Sequence, residues 1–170
     1  AGHISLSIEP VEVCRLMKEI KDIVNPLAAG NQITLEINPG NNLFVKANLQ
    51  RLKQVLLNLA NNAIKYNRQN GSIKINCELT EEAETQGYPV RISISDSGVG
   101  IAPEDIKKLF NPFERIGAEK TETEGTGLGL VVVKKLMDAM NGEVGVESEL
   151  GKGSTFWVEL PLAESPAQQS

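Results

Sequence analysis

Two asparagines one helical turn apart are candidate ligands for a divalent cation. Asn58 and Asn62 are four residues apart in the stretch QVLLNLANNAIKYN, residues 54–67, and side chains at this spacing lie on one face of a helix. Their amide oxygens are ligands of the kind that hard cations such as Mg²⁺ prefer. Asparagine is a mediocre helix former, so a run of asparagines lowers helix stability. A solvated polar face is the alternative, and the spacing alone leaves both interpretations open.

An aspartate at the end of a predicted strand could bind a base. Asp96 has the strand parity of Ile92 and Ile94, so its side chain should point to the same face as these aliphatic ones. A carboxylate there is costly unless a hydrogen-bond donor pairs with it, and the exocyclic amine of adenine would be such a donor. The turn SGVGI, residues 97–101, would let the backbone approach a ligand closely. The alternative is an aspartate that only caps a turn.

A glycine cluster opens the last predicted helix. The sequence of residues 125–130 is GTGLGL, and glycine-rich helix starts bind phosphate through their backbone N–H groups. The cluster is not a dinucleotide-binding fingerprint, because a polar loop and not a strand precedes it. It is not a P-loop either, since the Gly151-Lys152 pair is followed by Gly153 and lies in a predicted hairpin turn. A helix-opening turn without function is the alternative.

The elements that must position these residues form a mixed α/β pattern. Helical patterns are predicted over 10–29, 49–67, 103–110 and 128–140. Strands are predicted over 5–9, 33–37, 43–46, 72–79 and 90–95, followed by a hairpin of 144–149 with 155–160. This order predicts helices over one face of a largely antiparallel sheet. We assign residues 1–4 to a linker or added residues, 5–162 to one domain and 163–170 to a disordered tail.

Composition and charge restrict the partners of the chain. Seventeen basic and 22 acidic residues give a net charge of −5, which argues against nucleic acid as a partner. A polyphosphate would have to be held by local groups. Cys14 and Cys77 lack metal-ligand spacing and are expected to be reduced and buried. No apolar run is long enough to cross a bilayer, so we expect a cytoplasmic domain without direct membrane contact, whose parent protein could carry an anchor.

The order of the motifs resembles the four ATP-binding boxes of sensor histidine kinases, in the GHKL superfamily. QVLLNLANNAIKYN (54–67), DSGVGI (96–101), LFNPFER (109–115) and GTGLGL (125–130) resemble the N, G1, F and G2 boxes. The resemblance extends from about residue 8 to 162. It implies the Bergerat fold, an α+β two-layer sandwich with a mixed, largely antiparallel sheet of about five strands and three main helices on one face. It also implies a lid over 114–125, for which an ordinary mobile loop is the alternative.

The resemblance implies roles for individual residues. Asn58 and Asn62 would hold Mg²⁺ and the phosphates, and Asp96 would bind adenine. Lys65 would reach toward phosphate and Arg115 toward the γ-phosphate, which makes Asn58, Lys65 and Arg115 the candidate catalytic residues. The other positions implied for ATP are Tyr66, Gly98, Gly100, Ile101, Phe113, Gly125, Thr126, Gly127, Leu128, Gly129, Leu130 and Thr155.

Several of these residues could instead have an ordinary structural role. Phe110 and Phe113 could belong to the core, and Lys65 and Arg115 could be solvated. The only histidine is His3, at the terminus, so the phosphorylatable histidine of the family is expected on a separate dimerisation domain. That domain would pass the phosphoryl group to the receiver domain of a response regulator. This chain alone is expected to be monomeric.

The residue at position 58 bears on the reaction that the resemblance implies. ATP-hydrolysing branches of the superfamily carry a glutamate there, and Asn58 cannot accept a proton. Rapid hydrolysis is therefore not expected, which disfavours a GHKL ATPase. The motifs leave open an anti-sigma-type serine kinase, and also a nucleotide-binding pseudokinase that acts as an interaction module.

Overall fold

The computed structural model describes residues 6–80, 89–110 and 128–166 and contains two sheets and four helices in that part of the chain. The elements are β1 (Glu9–Glu12), α1 (Val13–Gly30), β2 (Thr34–Asn38), β3 (Phe44–Ala47), α2 (Leu49–Lys65), β4 (Ser72–Leu79), β5 (Val90–Asp96), α3 (Pro103–Ile106), α4 (Leu128–Ala139), β6 (Glu143–Glu149), β7 (Gly153–Leu160) and β8 (Leu162–Ala163).

The main sheet confirms the predicted fold class. Its five strands lie in the order β2-β4-β5-β7-β6. Only the β2–β4 pair among them is parallel, and the other three pairs are antiparallel. The helices α1, α2 and α4 contact this sheet, and the aliphatic residues of alternate parity on β5, such as Ile92 and Ile94, are buried between the two layers. Burial of these apolar surfaces is the main stabilising contribution to such a sandwich.

A second, three-stranded sheet with the order β1-β3-β8 was not predicted. It corrects the start of the chain, where a strand over 5–9 and a helix from residue 10 were expected. Pro10 instead pairs with Lys46 inside β1, and the helix begins at Val13. Proline is tolerated there because β1 is an edge strand, which needs no inward N–H at that residue. Burial of Val11 and the ladder with β3 outweigh the preference of proline for a helix start.

The remaining boundaries differ from the prediction by a few residues. Asn48 caps α2 as predicted, since its side chain accepts a hydrogen bond from the Arg51 N–H at 3.0 Å. The short helix predicted over 103–110 ends at Ile106. Hydrogen bonds from the N–H of Lys108 and of Leu109 to carbonyls three residues earlier tighten the chain into turns there, which bury Leu109 in the core.

Both cysteines are free thiols, as expected from their spacing. Cys77 is buried, and burial raises the pKa of its thiol to about 12. Cys14 is only half-buried, so the expectation that both cysteines are buried was wrong for this residue. No helix in the described ranges is long and apolar enough to span a membrane.

Candidate functional site

The carboxylate of Asp96 is fixed at the end of β5. Its Oδ1 accepts hydrogen bonds from the N–H of Gly98 at 2.8 Å and from the N–H of Ser154 at 3.3 Å. Oδ2 receives no hydrogen bond from the described part of the chain. Burial raises the pKa of the Asp96 carboxyl, and the two backbone N–H groups counteract part of that rise. One oxygen of a half-buried carboxylate therefore remains able to accept a hydrogen bond from a ligand.

The turn after Asp96 depends on two glycines. A Cβ atom at Gly98 would lie 2.3 Å from the carbonyl oxygen of Tyr66, and one at Gly100 would lie 2.1 Å from that of Glu149. Gly100 also has a φ of +75°, which other residues rarely adopt. The turn thus packs closely between the end of α2 and the β6–β7 hairpin. A residue with a Cβ atom does not fit at either glycine position.

The candidate cation ligands lie on the helix that borders this turn. Asn58 and Asn62 are both half-buried on α2, which contacts β5. Lys65 and Tyr66 are exposed at the end of the same helix, with Lys65 Nζ 5.7 Å from the centroid of the Tyr66 ring. The Tyr66 carbonyl accepts a hydrogen bond from the Val99 N–H at 3.2 Å. The structure therefore joins the end of the asparagine-bearing helix to the turn that follows Asp96.

The structure corrects the predicted place of Thr155. Its hydroxyl lies 2.9 Å from that of Ser95, and Ser95 precedes Asp96 on β5, so the two side chains point to opposite faces of the sheet. Thr155 therefore lies on the other face from the Asp96 carboxylate. Ser154, which pairs with Asp96 in the β5–β7 register, takes the position that was assigned to Thr155. The apolar Phe156, Val158 and Leu160 alternate along β7. Ser154 belongs to the same alternate set and Thr155 does not, so the sequence could have indicated Ser154.

Ser148 is a second residue that the sequence did not single out. Its hydroxyl oxygen accepts a hydrogen bond from the N–H of Ile101 at 2.7 Å and its hydroxyl donates to the carbonyl of Gly153 at 3.1 Å. Since a serine hydroxyl has one proton, the 2.7 Å contact between the hydroxyls of Ser148 and Ser154 has Ser154 as the donor. This chain of bonds fixes Ile101, a predicted pocket residue that packs against the core.

The glycine-rich helix start is described only from α4 onward. The helix begins at Leu128 and includes Gly129, and Leu130 is buried in the core. The other predicted positions of this region, Phe113, Arg115, Gly125, Thr126 and Gly127, lie outside the described residues, as do the side chain of Leu128 and the proposed lid over 114–125. Phe110 packs against the core, in agreement with an ordinary structural role for that residue.

The donor set of the site is made of oxygen atoms from amides and one carboxylate. Within the three described ranges, no group of three or more histidine, cysteine, aspartate or glutamate residues could hold a metal ion. The amide oxygens of Asn58 and Asn62, together with oxygens of a ligand, could hold a metal ion. Such a set suits a hard cation bound together with phosphate.

Comparison with known proteins gives the family of the chain. A profile of the family described as histidine kinase-, DNA gyrase B-, and HSP90-like ATPase matches residues 47–164. The sensor histidine kinase GacS of Pseudomonas protegens is 37% identical over 168 residues, which cover 97% of this chain and 18% of that protein. The chain spans less than a quarter of the length of the curated relatives it matches.

Solved structures agree with this assignment. The nucleotide-free catalytic domain of the histidine kinase ThkA has a TM-score of 0.77 at 32% identity, covering 92% of this chain and 96% of that one. Full-length ShkA, solved in complex with AMPPNP, has a TM-score of 0.79 at 34% identity, covering 96% of this chain and 33% of that one. The chain belongs to the histidine kinase-, DNA gyrase B- and HSP90-like ATPase family and is homologous to the ATP-binding catalytic domains of sensor histidine kinases.

Proposed function

We propose that this chain is the catalytic domain of a two-component sensor histidine kinase, which donates the γ-phosphoryl group of ATP to a histidine on a separate dimerisation domain. The observation that carries the proposal is the half-buried carboxylate of Asp96, with Oδ1 held by two backbone N–H groups beside a turn that only glycine permits. The likeness to ShkA in its complex with AMPPNP supports the same function.

In this proposal, Asp96 recognises adenine by accepting a hydrogen bond from its exocyclic amine. Because Oδ1 already has two donors, Oδ2 would accept this bond. Guanine carries a carbonyl at the corresponding position, and two acceptors facing each other would leave buried polar groups unpaired. The site should therefore prefer adenine nucleotides to guanine nucleotides.

The amide pair on α2 fits the phosphate end of the nucleotide. Asn58 and Asn62 offer half-buried oxygens one helical turn apart, and Mg²⁺ bound there would neutralise charge on the phosphates. Lys65, exposed at the end of the same helix, would add a positive charge. Arg115, the glycine-rich segment 125–130 and the lid over 114–125 complete the site as predictions from the sequence.

The proposed reaction requires little acid–base chemistry from this chain. An imidazole nitrogen of the acceptor histidine attacks the γ-phosphorus, the bond to the bridging oxygen breaks, and ADP leaves. The neutral imidazole is already a nucleophile, so positioning and charge neutralisation carry the catalysis. Asn58 cannot deprotonate a water molecule, so rapid hydrolysis of ATP is not expected.

The partners follow from this reaction. The direct partner is the histidine-containing dimerisation domain of the same kinase, and the receiver domain of a response regulator is the indirect one. We infer a cytoplasmic location for the domain, no nucleic-acid or direct membrane contact, and a monomeric state when it is separated from the dimerisation domain.

Transfer of label from [γ-³²P]ATP to a supplied histidine-containing dimerisation domain tests the proposal. We expect acid-labile label on that domain in the presence of Mg²⁺, and a strong loss of transfer for Asp96→Asn. The exposed Asp22 on α1 provides a matched control, since Asp22→Asn should transfer normally. Acid-stable label would favour a serine kinase, rapid release of free phosphate an ATPase, and nucleotide binding without transfer or hydrolysis a pseudokinase.

A further inference from the structure

The side chain of Arg68 connects two turns that are distant in the sequence. Its Nη2 donates to the carbonyl oxygen of Gly98 at 3.0 Å and to that of Gly151 at 2.8 Å. Gly98 belongs to the turn after Asp96, and Gly151 lies at the tip of the β6–β7 hairpin. The N–H of Arg68 donates to Asn67 Oδ1 at 2.8 Å, which fixes the backbone at the base of this side chain.

The β5–β7 ladder ends at the pair of Asp96 and Ser154, and the two turns meet just beyond it. One main-chain hydrogen bond, from the Gly151 N–H to the Val99 carbonyl at 2.9 Å, crosses directly between them. A guanidinium is planar, always charged and donates in fixed directions. Arg68 can therefore hold the carbonyls of both turns at once and add to the bonds that Gly151 and Ser148 make with the turn of residues 97–101.

The turn after Asp96 is also hydrogen-bonded to the segment that follows α2. Asn67 Oδ1 accepts from the Ser97 hydroxyl at 3.2 Å, and Asn67 Nδ2 donates to the Ser72 carbonyl at 3.1 Å. The Asn67–Ser97 bond and the bond from the Val99 N–H to the Tyr66 carbonyl attach the turn to the segment that follows α2, and the Asn67–Ser72 bond attaches that segment to β4. Arg68 extends this attachment across the turn to the hairpin.

We propose that Arg68 is a positioning residue of the nucleotide site, which holds the turn of residues 97–101 in the conformation that binds adenine. The inference rests on the proposed function, because it assigns a role in the same site. Arg68 would act through the backbone of this turn, whose Gly98 carbonyl it holds, and not by direct contact with the nucleotide. Loss of its two hydrogen bonds would let the turn open locally, so that each binding event would have to order it again.

A purely structural role would give a different pattern of effects. The core consists mainly of buried aliphatic side chains, whereas Arg68 is exposed. Its hydrogen bonds should therefore contribute more to local order at the turn than to the global free energy of unfolding. Nucleotide affinity and amide exchange at the turn report the local effect, and the melting temperature reports the global one.

Titration calorimetry with ADP and Mg²⁺ on the whole chain provides the first measurement. We expect Arg68→Met to raise Kd about fivefold or more and Arg68→Lys to recover part of the affinity, because an ammonium keeps the charge but not the planar geometry. Arg51→Met is the matched control. Arg51 is likewise exposed but lies near the start of α2. It donates to Gln54 Oε1 at 3.1 Å, and its loss should leave Kd unchanged.

Amide hydrogen exchange of the nucleotide-free chain provides the second measurement. In Arg68→Met, the N–H groups of Val99 and Gly151 should exchange several-fold faster, whereas the buried Ile94 should keep its rate. Unchanged Kd and unchanged exchange in Arg68→Met would overturn the positioning role alone. The positioning role would also be overturned if Arg68→Met lowered the nucleotide affinity, the melting temperature and the protection of Ile94 in parallel, and if Arg68→Lys recovered none of them. A wild-type chain that binds no adenine nucleotide would overturn the proposed function, and the positioning role with it.

Discussion

Asp96 experiences two opposing influences on its ionisation. Burial raises the pKa of the carboxyl, and the N–H groups of Gly98 and Ser154 lower it, with burial the larger of the two. A carboxyl whose pKa is higher in the folded state than in the unfolded chain loses folding free energy when it ionises. The loss is absent below the unfolded pKa and complete above the folded pKa, so this residue's contribution to stability falls as pH rises. Ionised Asp96 therefore lowers the free energy of unfolding at neutral pH, a cost that the proposed role in base recognition would explain.

Asp96→Asn should separate these two properties. An asparagine oxygen can still accept from the N–H groups of Gly98 and Ser154, but it carries no charge, so the urea midpoint at pH 7 should stay equal or rise. The Kd for ADP should rise about tenfold or more, with loss of the preference for adenine over guanine nucleotides. The nucleotide affinity of the wild-type chain should also fall as the pH drops through the raised pKa of Asp96. Asp96→Asn should not show this pH dependence.

Calorimetric titrations of both proteins at several pH values would measure these effects. Ionisation of the nucleotide itself contributes equally to both proteins, so their ratio isolates Asp96. Equal affinities and equal base preference at pH 7 would exclude Asp96 from base recognition.

At the scale of elements, the site depends on how closely α2, the turn after β5 and the β6–β7 hairpin approach one another. The sequence predicted α2 and β5 well, because their apolar periods are long and their ends carry clear signals such as the Asn48 cap. It selected Thr155 although Ser154, and not Thr155, shares the alternate set of the apolar Phe156. Arg68 and Ser148 escaped prediction because their partners are backbone groups of other elements.

Substitution of two glycines by alanine should measure this close approach. Gly100 and Gly151 both have positive φ, +75° and +83°, so alanine at either should cost about 1 kcal/mol of unfolding free energy through backbone strain. Only Gly100 would also place its Cβ 2.1 Å from a carbonyl oxygen, whereas a Cβ at Gly151 meets no described atom within 4 Å. Gly100→Ala should therefore cost about 2–4 kcal/mol in urea denaturation. Equal costs for the two variants would contradict the tight contact between turn and hairpin.

At the scale of the whole molecule, the sequence predicted the large sheet and missed the small one. The five strands of the main sheet carry alternating apolar residues over five to eight positions, which is a detectable period. The strands β1, β3 and β8 have four, four and two residues. Only β3 was predicted at its place, as a strand over 43–46, and strands this short carry too little pattern to show which partners they pair with. Their pairing also joins segments from the beginning, the first half and the end of the chain, and such long-range pairing follows from the fold as a whole.

The small sheet makes a prediction about the C-terminal segment. The expected tail began at residue 163, but Ala163 pairs with Phe44 and is buried, and the Lys46 N–H donates to the Pro161 carbonyl at 2.9 Å. Deletion of residues 162–170 removes β8 and leaves an edge of β3 without its partner. We expect a loss of about 1–3 kcal/mol in the free energy of unfolding, from lost backbone hydrogen bonds and lost burial of Ala163.

A shorter deletion is the control for this experiment. Residues 167–170, AQQS, contain no large apolar side chain, so their removal should leave the urea midpoint within error of the full chain. Adenine nucleotide affinity should survive both deletions, because β8 lies on the small sheet and the Asp96 site lies on the main one. An unchanged midpoint after removal of 162–170 would mean that β8 adds nothing to stability. A loss of nucleotide binding at an unchanged midpoint would instead connect the small sheet to the site.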